Sequence, residues 1–286
     1  MKLALLFFLS SLLGFAQYTA IPDINFENKL IALGIDSGTA DGQVLTANIN
    51  TLTRLNVSNS AIISLAGIQD FIALTHLDCS QNKVSSLDIA NNTVLSSLSC
   101  YSNKLTNLVL DTNTSLKTLY CDTNQLTSLA ISKNTLLTDL DCGYNQLTSL
   151  NLTANTALKS ISCGGNSLTN LNLITNTALS SLNCASNLIT QLNLNTNTAL
   201  RNLNCSVNKL NQLNLAVNTA LVQLDCNTNL LTSLNIKNGN SHLLIQFDAT
   251  SNPNLSCIQV DDVTYFNTNW TTKKDATAIT ILLVQV

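Results

Sequence analysis

A cysteine recurs every 21 residues along most of this chain, and the sequence around it recurs with it. From Leu74 onward each unit follows the pattern LxxLxCxxN and then LxxLxLxxN. A fixed period of this length is typical of a solenoid, in which each unit buries its apolar side chains only against its neighbours. The recurring residues are Cys79, Cys100, Cys121, Cys142, Cys163, Cys184, Cys205 and Cys226. The period therefore predicts one elongated domain.

Each unit consists of two halves of similar design, which we call the cysteine half and the leucine half. Both contain a short alternation of apolar and polar residues, the pattern of a strand with one buried face. Neither half is long enough for a helix of three turns. The pattern predicts two short parallel strands per coil, arranged as two sheets back to back, with little helix between Leu52 and Ser241.

Residues 1–16 are predicted to be a secretory signal peptide. The segment MKLALLFFLSSLLGFA has an early lysine, an apolar run and small residues at Gly14 and Ala16, the features of a cleavable export signal. Its apolar run is short for a transmembrane span. We expect a secreted or cell-surface protein with no membrane span after the signal is removed.

The rest of the chain divides by its fit to the repeat. Residues 17–51 form an N-terminal cap, in which Asp23 can start a short helix with Phe26, Leu30 and Leu33 on one face. The solenoid covers 52–241, with a divergent first unit at 52–73 and eight regular units at 74–241. Residues 242–286 form a degenerate last repeat and an irregular C-terminal cap. Trp270, Tyr265 and Phe266 are expected to cover the last coil.

The cysteines occupy a place that the leucine half gives to leucine or isoleucine, as at Leu152. This indicates a small buried hydrophobic residue. A straight column of thiols does not supply the tetrahedral geometry of zinc, and we expect no metal or cofactor. Disulfides are the alternative in an exported chain. An asparagine follows each cysteine and is expected to satisfy backbone groups at a turn, namely Asn82, Asn103, Asn124, Asn145, Asn166, Asn187, Asn208 and Asn229.

The motif LxxLxCxxN resembles the leucine-rich repeat, and the resemblance covers the chain from Leu52 to about Leu255. The unit with its NTAL linker is similar to secreted leucine-rich-repeat proteins of Bacteroidetes-type bacteria, and in organisation to internalin-type surface proteins. The resemblance implies an α/β-horseshoe-class solenoid, here mostly parallel β-structure. It also implies that the chain binds another protein on its concave sheet.

The sequence favours binding over catalysis. It contains only two histidines and none of the common hydrolase, metalloprotease or phosphate-loop motifs. Charged residues make up 10% and the net charge is -3, which argues against nucleic acid as a partner. Exposed aromatic side chains often anchor protein contacts. Strand alternation predicts a concave contact face formed by His76, Asp78, Tyr101, Tyr120, Asp122, Asp139 and Asp141, with Tyr144 at the turn.

A second hypothesis is binding to a glycan or another ordered surface such as ice or mineral. A threonine follows the asparagine of each leucine half, and the resulting column repeats at about 4.8 Å if the coils stack. Its members are Thr93, Thr114, Thr135, Thr156, Thr177, Thr198 and Thr219. Turn chemistry explains the same column without a ligand. The sequence therefore predicts an adhesion or scaffold module, and the alternative is binding to a glycan or another ordered surface through the threonine or asparagine columns.

Overall fold

The computed structural model of the protein describes residues 17–282. The chain winds into a stack of coils in which residues 21 positions apart lie side by side, as Leu77, Leu98 and Leu119 do in successive strands. This is a solenoid of parallel strands, and it confirms the predicted leucine-rich-repeat fold class. The predicted signal peptide lies outside the described residues.

The front sheet contains ten parallel strands, nearly all of them from the cysteine halves. Backbone pairing continues past each strand, because the Cys79 amide donates to the Ser99 carbonyl at 2.8 Å and the later cysteines repeat this bond. The sheet therefore runs along the whole stack. Its strands are β3 (Arg54–Asn56), β4 (His76–Asp78), β5 (Ser97–Ser99), β6 (Thr118–Tyr120), β7 (Asp139–Asp141), β8 (Ser160–Ser162), β9 (Ser181–Asn183), β10 (Asn202–Asn204), β12 (Gln223–Asp225) and β14 (Gln246–Asp248).

The leucine halves form the back face, and here the prediction of a second strand in every coil is wrong. Within residues 17–282, strands on this face occur only in the last coils, as β11 (Gln212–Asn214), β13 (Ser233–Asn235), β15 (Cys257–Gln259) and β16 (Ile279–Ile281), which make a four-stranded sheet. Earlier coils are joined near this face by isolated backbone bonds, such as that from the Lys104 amide to the Val84 carbonyl at 2.9 Å. The alternating pattern is present throughout, but the backbones there do not form a paired ladder.

The core lies between the two faces and is built almost entirely from the repeated leucine and cysteine side chains. Cys79 is 1% exposed and the other seven cysteines of the column are 0% exposed. Each thiol stacks above the next because the coils are in register. The cysteine side chain therefore serves as a small apolar group in a packed column.

The N-terminal cap covers the first coil. It consists of β1 (Tyr18–Ala20), α1 (Ile24–Ala32), β2 (Gln43–Leu45) and α2 (Thr46–Ile49), with β1 and β2 antiparallel. Asp23 caps α1, since its Oδ1 accepts hydrogen bonds from the amides of Asn25 and Phe26. Its Oδ2 accepts from the amides of Ile63 and Ser64 at 2.7 and 2.8 Å. One carboxylate thus starts the predicted helix and joins it to the first coil.

The C-terminal cap contains a helix, α3 (Val263–Trp270), where the sequence analysis predicted irregular structure. Asp262 caps it by accepting from the Tyr265 amide at 2.9 Å. The rings of Phe266 and Trp270 pack on Phe247 of β14, with centroids 5.1 and 5.9 Å apart. The local signal was present, because an N-cap and aromatic residues four positions apart are typical of a short amphipathic helix.

Short 3₁₀ turns complete the described elements, at Ile68–Asp70, Ser241–Leu243 and Thr271–Lys273. Within the described range, no helix has the length and apolar character needed to cross a membrane.

Candidate functional site

The predicted contact residues lie on four neighbouring strands of the front sheet or on the turns that follow them. His76 and Asp78 are the ends of β4, and Tyr101 follows β5. Tyr120 ends β6, and Asp122 lies two positions beyond it. Asp139 and Asp141 are the ends of β7, with Tyr144 on the next corner. The structure therefore places these side chains on the N-terminal half of one sheet.

The centre of this region is an aromatic residue between carboxylates. Tyr120 is 40% exposed and is paired in register with Asp141. Asp122 lies close enough to Asp141 that burial, with the like charge of Asp141 in addition, raises the pKa of Asp122. The Asp122 carboxylate also accepts a hydrogen bond from the Thr123 hydroxyl at 3.0 Å. This part of the front sheet therefore presents negative charge beside an exposed ring.

The carboxylates are held by their own turns. Asp141 accepts from the Gly143 amide at 3.0 Å, and Asp139 accepts from the Thr138 hydroxyl at 2.7 Å. Asp78 accepts from both the amide and the hydroxyl of Ser80. Side chains fixed in this way lose little conformational entropy when a partner binds, which favours a recognition surface.

Tyr144 lies at the edge of the front sheet. It is 71% exposed, and its backbone has a left-handed φ of 49°. The ring lies against Gly165 of the next coil, where an added Cβ would be 2.7 Å from Cδ1 of the tyrosine. Gly165 therefore leaves the space in which this ring lies.

The front sheet contains His76, and the column of cysteine thiols lies beneath it. The Nδ1 atom of His76 is 2.9 Å from the Thr75 hydroxyl oxygen, and this hydroxyl donates a hydrogen bond to the Thr53 carbonyl at 2.9 Å. Burial raises the pKa of each thiol in the column, to about 12 for Cys79, and buried thiols of this kind are chemically inert. Among the described residues, no group of histidine, cysteine and carboxylate side chains could hold a metal ion.

Sequence reasoning missed two polar regions. The C-terminal half of the front sheet has a depression of about 190 Å³, lined by residues that include Ser181, Asn202 and Gln223. The back face carries exposed asparagines that recur in the triplet Leu-Asn-Leu, as at Asn172. That repeated triplet was the signal that would have revealed them. The threonines from Thr93 to Thr219 are exposed at every position of their column.

A stack of in-register coils with a leucine-rich core and a column of buried cysteines has the fold of a leucine-rich-repeat solenoid. Solved structures agree with this class. The functional domain of internalin J from Listeria monocytogenes, which includes a cysteine ladder, has 29% identity and a TM-score of 0.65, covering 95% of this chain and 72% of that one. A leucine-rich-repeat protein of Leptospira interrogans has 18% identity and a TM-score of 0.61, covering 82% and 56%, and is similar in fold alone.

Sequence comparison also finds a similarity to internalin J, over a shorter part of the chain. Internalin J of Listeria monocytogenes serotype 4b (strain F2365) is 37% identical over 72 residues, which are 25% of this chain and 8% of that protein. No protein-family model matches the chain. A quarter of the chain is therefore similar to a short part of a much longer protein.

Proposed function

We propose that this protein is an exported, non-enzymatic module that binds another protein through the front sheet, the face predicted to be concave. The observation that carries the proposal is the concentration of aromatic and acidic side chains on and beside β4 to β7, where half-buried carboxylates surround the exposed ring of Tyr120. The similarity to the internalin J domain supports a surface interaction scaffold. In this organisation, residues 17–51 and 242–286 cap the ends of the stack after removal of residues 1–16.

The chemistry of this surface favours a partner with a basic patch. Asp122, Asp139 and Asp141 lie on and beside β6 and β7, and residues 115–124 and 136–145 contain a single positively charged residue, Lys117, directly before β6. A tyrosine in such a setting supplies apolar area and a hydroxyl for hydrogen bonding, and aromatic residues commonly dominate binding energy. Complementary charge would mainly accelerate association.

The test is a binding screen of the purified chain against a panel of extracellular proteins, followed by variants of the captured pair. Replacing Tyr101 and Tyr120 by alanine should weaken binding at least about tenfold, because interface aromatics often contribute 2 kcal/mol or more. Circular dichroism should show an unchanged fold. A matched control replaces Thr135, Thr156 and Thr177 by alanine and should leave the affinity for the protein unchanged.

Two results would contradict this assignment. Equal affinity of the tyrosine variant and the unmodified chain would exclude the front sheet as the contact face. Loss of binding in the threonine variant alone would favour the ordered-surface hypothesis. Export is tested separately, by secretion from a bacterial host and N-terminal sequencing of the released protein, which should begin at Gln17.

A further inference from the structure

Five consecutive coils present an asparagine at the same place on the back face. We call Asn151, Asn172, Asn193, Asn214 and Asn235 the back-face asparagine row. The first four are exposed and the fifth is half-buried. Asn214 and Asn235 are in-register partners of β11 and β13, so side chains in this part of the row repeat at about 4.8 Å. The row therefore runs along the stack, across the coils.

Each amide in the row is held in one orientation by its own turn. The Oδ1 atoms of Asn172, Asn193 and Asn214 accept hydrogen bonds from backbone amides two residues later, at 3.2, 3.0 and 3.1 Å. Asn151 and Asn235 accept in the same way. No group in residues 17–282 accepts a hydrogen bond from the Nδ2 of these side chains. Each coil thus directs an unused, oriented N–H donor pair toward solvent.

The surface around the first four asparagines of the row is polar and uncharged, and Lys237 follows the fifth, Asn235. Two depressions of about 460 and 360 Å³ lie along it, and both are lined by Gln191, Asn193 and Asn195. The four leucine halves at 147–157, 168–178, 189–199 and 210–220 contain no acidic or basic residue. Both depressions offer amide groups, which donate and accept hydrogen bonds.

Apolar groups accompany these amides. The leucines that border the two depressions, such as Leu192 and Leu171, are buried in the core and form their floor. Ile174, which is 56% exposed, lies at the edge of the smaller depression. A ligand with hydroxyl groups on its periphery and C–H groups on its faces matches this row of amides beside the exposed aliphatic side chain of Ile174.

We propose that the back face binds a linear, uncharged polysaccharide that lies along the stack. Its hydroxyl and ring oxygens accept hydrogen bonds from the Nδ2 groups of Asn172, Asn193 and Asn214, and its C–H faces pack on Ile174. An anionic polymer finds no cation in these leucine halves. A protein partner would be expected to use the aromatic and arginine side chains that dominate interfaces, and the same leucine halves lack them.

The asparagines offer a nearly isosteric test. Aspartate makes the same turn at the equivalent place in an earlier coil, where Asp88 accepts from the Ala90 amide at 3.1 Å. The row variant, Asn172→Asp, Asn193→Asp and Asn214→Asp, therefore keeps the turns and removes the donors. The control variant carries Asn56→Asp, Asn183→Asp and Asn204→Asp on the front sheet and therefore has the same change in net charge. The Oδ1 atoms of these three asparagines also accept hydrogen bonds from backbone amides two residues later.

The experiment is affinity electrophoresis of the full chain in native gels containing barley β-glucan, xyloglucan or galactomannan. Each protein is compared with itself in a gel without polymer, which removes the effect of its own charge. The unmodified chain should be retarded by at least one of the three polymers. The row variant should show at least a tenfold higher dissociation constant, and the control variant should differ by less than twofold. Circular dichroism confirms that both variants fold.

The proposal is overturned if none of the three polymers retards the unmodified chain. It is equally overturned if the row and control variants lose retardation to the same extent, or if polygalacturonate retards the chain more strongly than every neutral polymer. The variant with Tyr101 and Tyr120 replaced by alanine should retain full polysaccharide binding. The two binding faces can therefore succeed or fail independently.

Discussion

The cysteine half and the leucine half of each coil share a motif but differ in length by one residue. In the unit that begins at Leu74, the cysteine half occupies residues 74–83 and the leucine half 84–94. The extra residue lies after the asparagine of the leucine half, in the NTAL linker. Two nearly identical sequence patterns therefore turn their corners differently, and the hydrogen bonding of the two halves follows from that difference.

The shorter corner is tight and fully bonded. It contains a residue with left-handed φ in nearly every coil, for example Ser102 at 52°. The asparagine that follows, Asn103, accepts from the Val84 amide of the preceding coil at 3.0 Å. Its Nδ2 donates to the carbonyls of Cys79 and Cys100 at 3.0 and 3.1 Å. Each cysteine-half asparagine thus joins two coils through both of its polar atoms.

The longer corner satisfies its amides by backbone turns. The Asn92 amide donates to the Ile89 carbonyl at 3.0 Å, and the Leu95 amide donates to the Asn92 carbonyl at 3.1 Å. Since these amides are already used, the buried Oδ1 of Asn92 has no partner among the described residues, although its Nδ2 donates to the Ile68 and Phe71 carbonyls. Six further asparagines repeat this arrangement, namely Asn113, Asn134, Asn155, Asn176, Asn197 and Asn218. The corner that is longer by one residue therefore leaves the side-chain Oδ1 of each of these asparagines without a hydrogen bond among the described residues.

The largest expected effect is a loss of stability at alkaline pH, caused by the buried thiols of the cysteine halves. Burial raises the pKa of the column thiols in the folded chain, to about 12 for Cys79, whereas the unfolded chain titrates near 9.0. The folded state therefore holds protons that the unfolded state releases. The free energy of unfolding should be level below pH 9 and should fall as the pH rises from 9 through the folded-state pKa values. Each thiol contributes up to about 1.4 kcal/mol per pH unit.

Urea unfolding at a series of pH values measures this slope. A variant with Cys142, Cys163 and Cys184 replaced by alanine has fewer thiols to titrate, so its slope above pH 9 should be shallower by up to about 4 kcal/mol per pH unit. Slopes are compared because the cavities lower stability at every pH. Parallel slopes for the two proteins would show that the thiols do not cause the alkaline loss.

The second largest expected effect is a difference in the stability lost when the two kinds of asparagine are replaced by alanine. Asn187 in a cysteine half accepts from the Leu168 amide and donates to the carbonyls of Cys163 and Cys184. Asn176 in a leucine half donates to two carbonyls and has an unpaired Oδ1. We expect Asn187→Ala to cost about 3 kcal/mol and Asn176→Ala about 1–2 kcal/mol, since fewer buried groups lose a partner.

Urea denaturation at pH 7 measures both losses of stability, because at this pH the thiols are protonated in the folded and the unfolded chain. Asn187 and Asn176 are 6% and 0% exposed, so the comparison is between sites of similar burial. An equal or larger loss for Asn176→Ala would mean that hydrogen-bond count does not distinguish the two corners.

The smallest expected effect concerns the left-handed residue of the cysteine-half corner. Val207 is exposed and has φ of 54°, a conformation that is unfavourable for a β-branched side chain. Val207→Asn should therefore stabilise the chain by about 1 kcal/mol. The matched control is Val217→Asn, at an exposed leucine-half position without positive φ, and it should change stability by less than about 0.5 kcal/mol. Thermal unfolding of both variants measures the difference, and equal shifts would contradict the role of backbone strain.

Much of the fold was predictable because its determinants are local and repeated. The solenoid follows from the period, the front strands from the alternation before each cysteine, and α1 from Asp23 and its apolar face. The back-face strands were predicted in too many coils, because the alternation in Leu150-Asn151-Leu152 is the same as in the later coils that do form a ladder. Strand pairing also depends on how the neighbouring coil presents its backbone, and that information is not in the alternation.

The candidate contact face was predictable as a set of outward positions, but its finer properties were not. The alternation places Tyr120 and Asp141 on the surface, whereas their pairing in register is a consequence of coil stacking. The same holds for the back-face asparagine row. Its repetition is visible in the sequence, but the fixed Oδ1 and unused Nδ2 of Asn193 are visible only once the turn is folded.

The amino-acid sequence by itself determined the repeat, the direction of the side chains and the identity of the buried column, because each depends on residue spacing within one coil. Tertiary structure alone decided which asparagine atoms are bonded, which coils pair on the back face and which donors remain free. Those outcomes depend on contacts between residues about 20 positions apart, and such contacts exist only after the coils have stacked.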